Sequence, residues 1–408
     1  MNRPTARIEK PEVARPVVMN RGVILKLIVS VLAISAMIFA RSGRAASEEP
    51  FDIKLPVGMS AEVWNYFIPK DNPMTREKVE LGKDLFFDTR LSADGSVSCS
   101  TCHNPKFAFT DGKSVAEGIN GRKGTRSAPS LLNVIFNSGQ FWDGRVESLE
   151  QQVAMPLINP DEMGNASTAD VVKRVRAIPG YALRFQQVFA GPVTVDGISK
   201  AVAAFERTLL SANAPFDRYM AGDHNALSES ARRGMFLFSG KARCAVCHNF
   251  LANFTTTQTF PFFSDQMYHN TGVAAADATY LDMSARATLL SKKEPSAADL
   301  SALAADRNAG LLGRFLVTGS SLDIGAFKTP TLRDCELTAP YFHDGSVKTL
   351  EDVVKFYVKG GNRNPNRDWE LQAVNLSDQE QAELVAFLKC LTSDDTRKMV
   401  EEARARKD

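Results

Sequence analysis

Two copies of one short motif constrain this chain more than anything else in it. The sequence reads "VSCSTCHNPKF" around Cys99 and "ARCAVCHNFLA" around Cys244, so Cys-x-x-Cys-His occurs twice, 145 positions apart. With 6 cysteines and 5 histidines among 408 residues, chance would place one such motif in roughly one of a thousand chains of this composition. The chemistry that needs a histidine directly after the second cysteine is covalent haem attachment. Cys99 and Cys102, and again Cys244 and Cys247, would form thioethers to the haem vinyl groups, with His103 and His248 held beneath the irons as axial ligands. A zinc site drawing on four cysteines and two histidines is the alternative, but zinc knuckles rarely place a lone histidine straight after each pair. A redox dithiol fits less well, because neither pair sits in a thioredoxin-like strand and helix.

Haem attachment of this kind goes with export. The stretch "RGVILKLIVSVLAISAMIFARSGRAAS" has a basic start at Arg21 and Lys26, an apolar run from Leu27 to Ala40 and small residues at Ala45 and Ala46. It reads as an export signal over residues 1–46, with Met19 as a second possible start. An uncleaved membrane anchor is the alternative, since the apolar run is nearly long enough to span a bilayer. A periplasmic location follows. Residues 1–46 hold 8 Lys/Arg and 2 Asp/Glu, leaving 41 against 45 and a formal charge of −4 on the remainder. That balance argues against a nucleic-acid binder.

The segments between the motifs read as helices. "TREKVELGKDLFFD", "TADVVKRVRAI", "ISKAVAAFERTLL" and "SESARRGMFLFSG" carry apolar residues at i, i+3 and i+4, several behind a Ser or Thr suited to an N-cap. "SDQEQAELVAFLKCL" opens with a capping box, Ser377 and Glu380. The expected fold is mainly α: two c-type cytochrome-like haem domains with long loops, residues 47–211 and 212–392. Residues 274–308 form a polar, alanine-rich surface insertion with a helix of its own, and residues 393–408 a charged tail.

The linking sequences "SAPSLLNVIFNSGQFWDGRVESLEQQVAMPLINPDEMG", "FERTLLSANAPFDRYMAGD", "YHNTGV" and "GAFKTPTLRDCELTAPYFHDGSVKTLEDVVKFY" closely resemble the bacterial di-haem cytochrome c peroxidases and the related MauG proteins. The resemblance runs over residues 70–392. It implies two covalently bound haems c, a peroxide site at the N-terminal haem, an electron-transfer haem in the C-terminal domain and a calcium ion between the domains. By similarity, Gln152 and Glu162 line the peroxide pocket, Glu162 carries the proton, Pro156 shapes the pocket, and Trp142 lies between the haems as a charge relay.

Two departures from the common pattern matter. Many relatives carry a second histidine in a loop after the first haem motif that blocks the resting iron; here the loop is "EGINGRKGTRSAP" and the position is Ile119. The first haem is therefore expected to be open at rest. His224, in a turn, is expected at the surface. In "KTLEDVVKFYVKGG", Thr349 suits an N-cap, Gly360 a stop, and Leu350, Val353, Val354 and Tyr357 share a face, so Tyr357 points inward. Many relatives have a methionine ligand here, and the MauG proteins a tyrosine. Tyr357 is thus expected to ligate the second iron, and an anionic phenolate favours higher oxidation states where a thioether favours electron collection.

For calcium the resemblance implies carbonyls at Thr338 and Pro340, with Ser127 where the family has an asparagine. His269 and His343 are expected to hydrogen-bond near the second haem. Cys335 and Cys390 are a candidate disulfide, with free buried thiols as the alternative. The expected function is a peroxide-using oxidoreductase that reacts with hydrogen peroxide and then oxidises a partner protein; peroxide removal with electrons from a small cytochrome c is the alternative, and a non-catalytic electron carrier the weakest. The tryptophan that MauG places before its second haem motif is Ala242 here, leaving Trp64 and Trp369 as other tryptophans for charge to leave by.

Overall fold

The computed structural model describes residues 51–57, 59–250, 260–273, 277–290 and 307–406. The expected export signal or anchor at residues 1–46, and residues 274–276 and 291–306 of the expected insertion, lie outside them. Among the described residues no helix is long and apolar enough to cross a membrane.

The helices start where local chemistry places them. Helix α1 (Arg76–Phe87) begins behind Thr75, whose hydroxyl accepts from Lys78 N–H. After the first haem motif come α2 (Leu149–Ile158), α3 (Thr168–Ala177), α4 (Tyr181–Phe189) and α5 (Val195–Glu206). Helix α6 (Glu229–Ser239) is capped by Ser228 and precedes the second motif. The expected insertion does supply a helix, α7 (Asp277–Leu290). Helix α8 (Leu350–Val358) is capped by Thr349, and α9 (Asp378–Lys389) by the capping box of Ser377 and Glu380. Each cap satisfies amides that the first helical turn leaves without partners.

Two hydrophobic clusters carry the main core. The first gathers buried side chains between Met59 and Ala212, with Cys99 packed against it; the second runs from Phe216 to Leu391 and includes Cys244 at its margin. The two halves are built alike. In each, the helix that precedes the haem motif crosses the last helix of that half at a glycine. A Cβ on Gly82 of α1 would stand 1.8 Å from Ala201 O of α5, and one on Gly234 of α6 would stand 1.9 Å from Glu383 O of α9. Only hydrogen at these positions lets the backbones approach so closely.

Within the second half the described residues form one short antiparallel pair, β1 (Tyr268–His269) with β2 (Phe327–Lys328). The C-terminal segment departs from its reading as a charged tail. It forms α10 (Asp394–Ala405), capped by Ser393, which buries Val400 in the first cluster. Arg404 Nε donates to Lys106 O at 2.9 Å, and its guanidinium lies 5.8 Å from the Phe107 ring centroid. The disulfide expected of Cys335 and Cys390 is absent, and both are free thiols. Each sulfur is held by a different carbonyl at the end of α9, Cys335 by Leu388 O at 3.6 Å and Cys390 by Ala386 O at 3.2 Å. Burial pushes the Cys335 thiol up to about 12, which leaves it unreactive.

Candidate haem-binding active site

Each motif is a tight turn that presents its histidine in one tautomer. Cys99–Cys102 form one helical turn, closed by Ser98 N–H on Thr101 Oγ1 at 2.9 Å, so the two sulfurs share a face. His103 Nδ1 lies 3.0 Å from Pro129 O and 3.2 Å from Phe109 O. Carbonyls only accept, so the proton sits on Nδ1 and Nε2 keeps its lone pair for a metal. The second motif repeats this with the turn Cys244–Val246 and with His248 Nδ1 3.0 Å from Phe263 O. Burial lowers the pKa of both imidazoles and keeps them neutral, as ligands must be.

The first motif opens on a cavity of about 480 Å³ lined by Cys99, Cys102 and His103. Gln152 and Pro156, one turn apart on α2, line the same cavity, as do Trp142 and Glu162. Pro156 has no N–H for the carbonyl of Gln152, so α2 ends within a turn and the chain bends through Asn159 into Glu162. Asn159 Nδ2 donates to Glu162 Oε1 at 2.8 Å, and burial raises the Glu162 carboxyl above the usual range. Ile119 donates its N–H to Glu162 O at 2.9 Å but turns its side chain away, onto Gly164, where a Cβ would stand 2.0 Å from Ile119 Cδ1. His103 is the one imidazole among the residues lining this cavity. His224 is exposed.

The second cavity is lined by Cys244, His248, Tyr357 and apolar side chains, among them Leu384 and Leu388. It measures about 60 Å³ as those side chains stand. Tyr357 therefore faces the histidine of the second motif, as its spacing on α8 requires. Its hydroxyl has no hydrogen-bond partner among the described residues, and burial raises its pKa well above the ordinary tyrosine range. Tyr357 is half-buried, and its side chain lines the cavity, where a bound cation would take it as phenolate. The donor set of the first cavity, two thiols and a neutral imidazole with Nε2 free, fits covalently attached haem; the second motif has the same sequence pattern and the same histidine tautomer, and presents Cys244 and His248 to its cavity.

Around these cavities the remaining residues find clear places. Trp142 Nε1 donates to Ser127 O at 2.9 Å, and Trp142 O accepts from Lys328 N–H at 2.8 Å. Lys328 pairs with Tyr268 in β1, and the next residue, His269, has a ring nitrogen within 4.8 Å of Cys247 Sγ. A short path thus runs from the first cavity through the Trp142–Lys328 hydrogen bond and the β1–β2 pair to His269, whose ring nitrogen is within 4.8 Å of Cys247 Sγ. His269 bridges Asp265, at 2.9 Å, and Asp368. Burial alone would lower its pKa, but Asp265, the Cys247 thiol and Asp368 outweigh that and raise it to about 11. Cys247, Asp265 and His269 together resemble a metal cluster, but the haem motif already commits Cys247. His343 does not line either cavity; it stacks on Phe327 at 3.7 Å, 6.4 Å from Trp142. Ser127 meets the 338–345 loop directly, its Oγ donating to Phe342 O at 2.9 Å and its N–H to His343 O at 2.7 Å. Trp64 is buried, whereas Trp369 is 75% exposed and follows Asp368.

Comparison with known proteins agrees with this geometry. The sequence pattern of the di-haem cytochrome c peroxidase family matches residues 76–225. The methylamine utilization protein MauG of Methylorubrum extorquens is 39% identical over 328 residues, which span 80% of this chain and 81% of that protein. This chain belongs to the di-haem cytochrome c peroxidase and MauG family. The cytochrome c551 peroxidase of Nitrosomonas europaea is 36% identical over 90% of this chain and 92% of its own length. Among solved structures, a MauG-like protein associated with microbial copper homeostasis superposes with a TM-score of 0.67 at 32% identity, covering 85% of this chain and 97% of that one. The protein is thus an oxidoreductase acting on peroxide, with the two c-type haems of its family.

One residue of the first cavity has no local signal in the sequence. Glu206 lies at the end of α5, is 4% exposed, lines the cavity and has Oε2 without a hydrogen-bond partner. Burial pushes its carboxyl up to about 8, so it is neutral where an ordinary glutamate is ionised. The folded protein therefore keeps a proton that the unfolded chain releases from about pH 4.3 upward. The corresponding stability is present at pH 4 and is lost as pH rises through 8. Glu206→Gln, neutral at every pH, should narrow the fall in melting temperature of the holoprotein between pH 5 and 8, which scanning calorimetry would read directly. An unchanged fall would mean that Glu206 ionises normally.

Proposed function

We propose that this protein is a periplasmic, MauG-like peroxide-dependent enzyme that oxidises a partner protein. The observation that carries the reading is Tyr357, partnerless and facing His248 across the second cavity. When bound, each haem supplies an iron able to hold oxidising equivalents above its resting ferric state. His103 would hold the first iron, and His248 with Tyr357 the second. In the first cavity, Glu162 would accept the proton from one peroxide oxygen and return it to the other, which would leave as water. The two electrons for that O–O cleavage, and the acceptor of the remaining oxygen, are the chemistry the bound haems would supply. Gln152 orients the peroxide by hydrogen bonding, and Pro156 keeps the α2 wall in place. Trp142 passes charge toward the second motif along the Lys328–His269 connection. Exposed Trp369, next to the Asp368 that holds His269, favours an exit to a protein partner on that side.

Peroxide removal with electrons from a small cytochrome c is the second reading, favoured by the likeness to the Nitrosomonas peroxidase over nearly its whole length. A mere electron carrier has no use for a buried carboxyl beside a ligand-free position. Calcium is part of the proposal: Ser127, beside Trp142, meets Phe342 and His343, which follow Thr338 and Pro340 in the chain, and carbonyl oxygens suit that ion.

The as-isolated diferric protein should show one high-spin and one low-spin haem and should react with peroxide without prior reduction. Two six-coordinate low-spin haems in the resting spectrum would overturn the open first site.

A further inference from the structure

One wall of the first cavity carries more positive charge than the protein neutralises. Arg126 Nη1 donates to Asp143 Oδ2 at 2.8 Å, and Arg145 Nη1 reaches both oxygens of the same carboxylate at 3.1 Å. Two guanidinium groups thus share one buried anion. Lys328, on the adjoining strand and lining the same cavity, is 7% exposed and has no carboxylate within ion-pair distance among the described residues. Its Nζ reaches only Asn137 Oδ1 at 3.5 Å and Thr329 O at 3.4 Å, both at the limit of a hydrogen bond. Of these three cations two are hydrogen-bonded to one carboxylate, and Lys328 to none. The cavity's other acidic groups, Asp161, Glu162 and Glu206, come from the segment after α2 and from the end of α5.

A buried ammonium without a counter-ion is strongly unfavourable, and burial already pushes Lys328 down to about 8. Two guanidinium groups that share one carboxylate, beside a buried ammonium with no ion-pair partner among the described residues, match an occupant bearing carboxylates. A haem carries two, on the propionate edge, away from the vinyl groups that the cysteines take. We propose that Lys328, with Arg126 and Arg145, binds the carboxylate pair of the first haem and seats that edge against the Trp142 loop, to which the Lys328 main chain is bonded. The inference rests on haem occupying the His103 cavity.

The test uses the haem-loaded protein with Lys328→Met and Lys328→Arg. Resonance Raman spectra should show the propionate-bending band of the first haem shifted in Lys328→Met and restored in Lys328→Arg. Removal of the positive charge should also shift the ferric/ferrous equilibrium of that haem toward ferric by about tenfold, with the Arg variant close to the native protein. A Lys328→Met protein that melts normally, with band and equilibrium both unchanged, would overturn the assignment. Equal shifts in Met and Arg variants would also overturn it, as packing and not charge would be responsible. Absence of a first haem from the native protein, seen as haem stain at half the expected amount, would remove the underlying reading and this inference with it.

Discussion

Glu162→Gln is expected to slow the reaction with peroxide by roughly 10²- to 10⁴-fold, the usual range for a positioned general acid and base. The substitution keeps shape and an oxygen able to accept from Asn159, whose bond to Glu162 Oε1 is 2.8 Å in the native protein, so the turn after α2 should survive. What is lost is the group that can take a proton and give it back. Because burial raises this carboxyl, and only its ionised form can accept a proton, the native rate should climb with pH through an apparent pKa above the ordinary glutamate value. That limb should vanish in the variant, while the resting spectrum stays as it was. Stopped-flow rates across pH would read both effects. An unchanged rate would remove Glu162 from the mechanism, and a changed resting spectrum would mark it as a structural residue.

What the sequence revealed of this arrangement was local, and what it hid was long-range. Thr75, Ser228, Thr349 and Ser377 announce their helices because a cap is written within four residues. Tyr357 was legible for the same reason, since spacing along one helix fixes its face. The two haem turns carry their donors in five consecutive residues each. Glu206 was not legible, because "FERTLL" looks like the ordinary end of an amphipathic helix. It is buried because α1 and α2 both pack on α5, covering nearly the whole circumference from Gly197 onward. The docked α10 was missed for a related reason: a sequence this charged offers only a thin apolar stripe, and the Phe107 and Lys106 that receive Arg404 lie almost 300 residues earlier. The charge of Lys328 acquires meaning only once β2 is set beside the Trp142 loop. Cys335 and Cys390 share a half, but sharing a half does not bring sulfurs together, and the carbonyls of α9 hold them separately.

Tyr357→Met should produce the other large effect, and it decides between the two enzyme readings. An anionic phenolate stabilises oxidised iron, and a neutral thioether does so far less. The potential of the second haem should therefore rise, by roughly a few hundred millivolts within the ~0.8 V that axial ligands span. Leu384 and Leu388 already line that cavity, so a flexible apolar methionine can be packed there with little strain. The variant should accept electrons from a small cytochrome c faster than the native protein and should lose the capacity to hold two oxidising equivalents after one equivalent of peroxide. Tyr357→Phe separates ligation from packing, because it keeps the ring and deletes only the oxygen. If Tyr357 ligates, the Phe variant should lose the low-spin signal of the second haem; if it merely packs, that signal and the potential should stay. A native protein that already oxidises cytochrome c rapidly and holds a single equivalent would make Tyr357 an unusual ligand in an ordinary peroxide-removing enzyme. The protein-oxidase reading would then fall, even though both haem turns and the half-buried Glu162 keep their places.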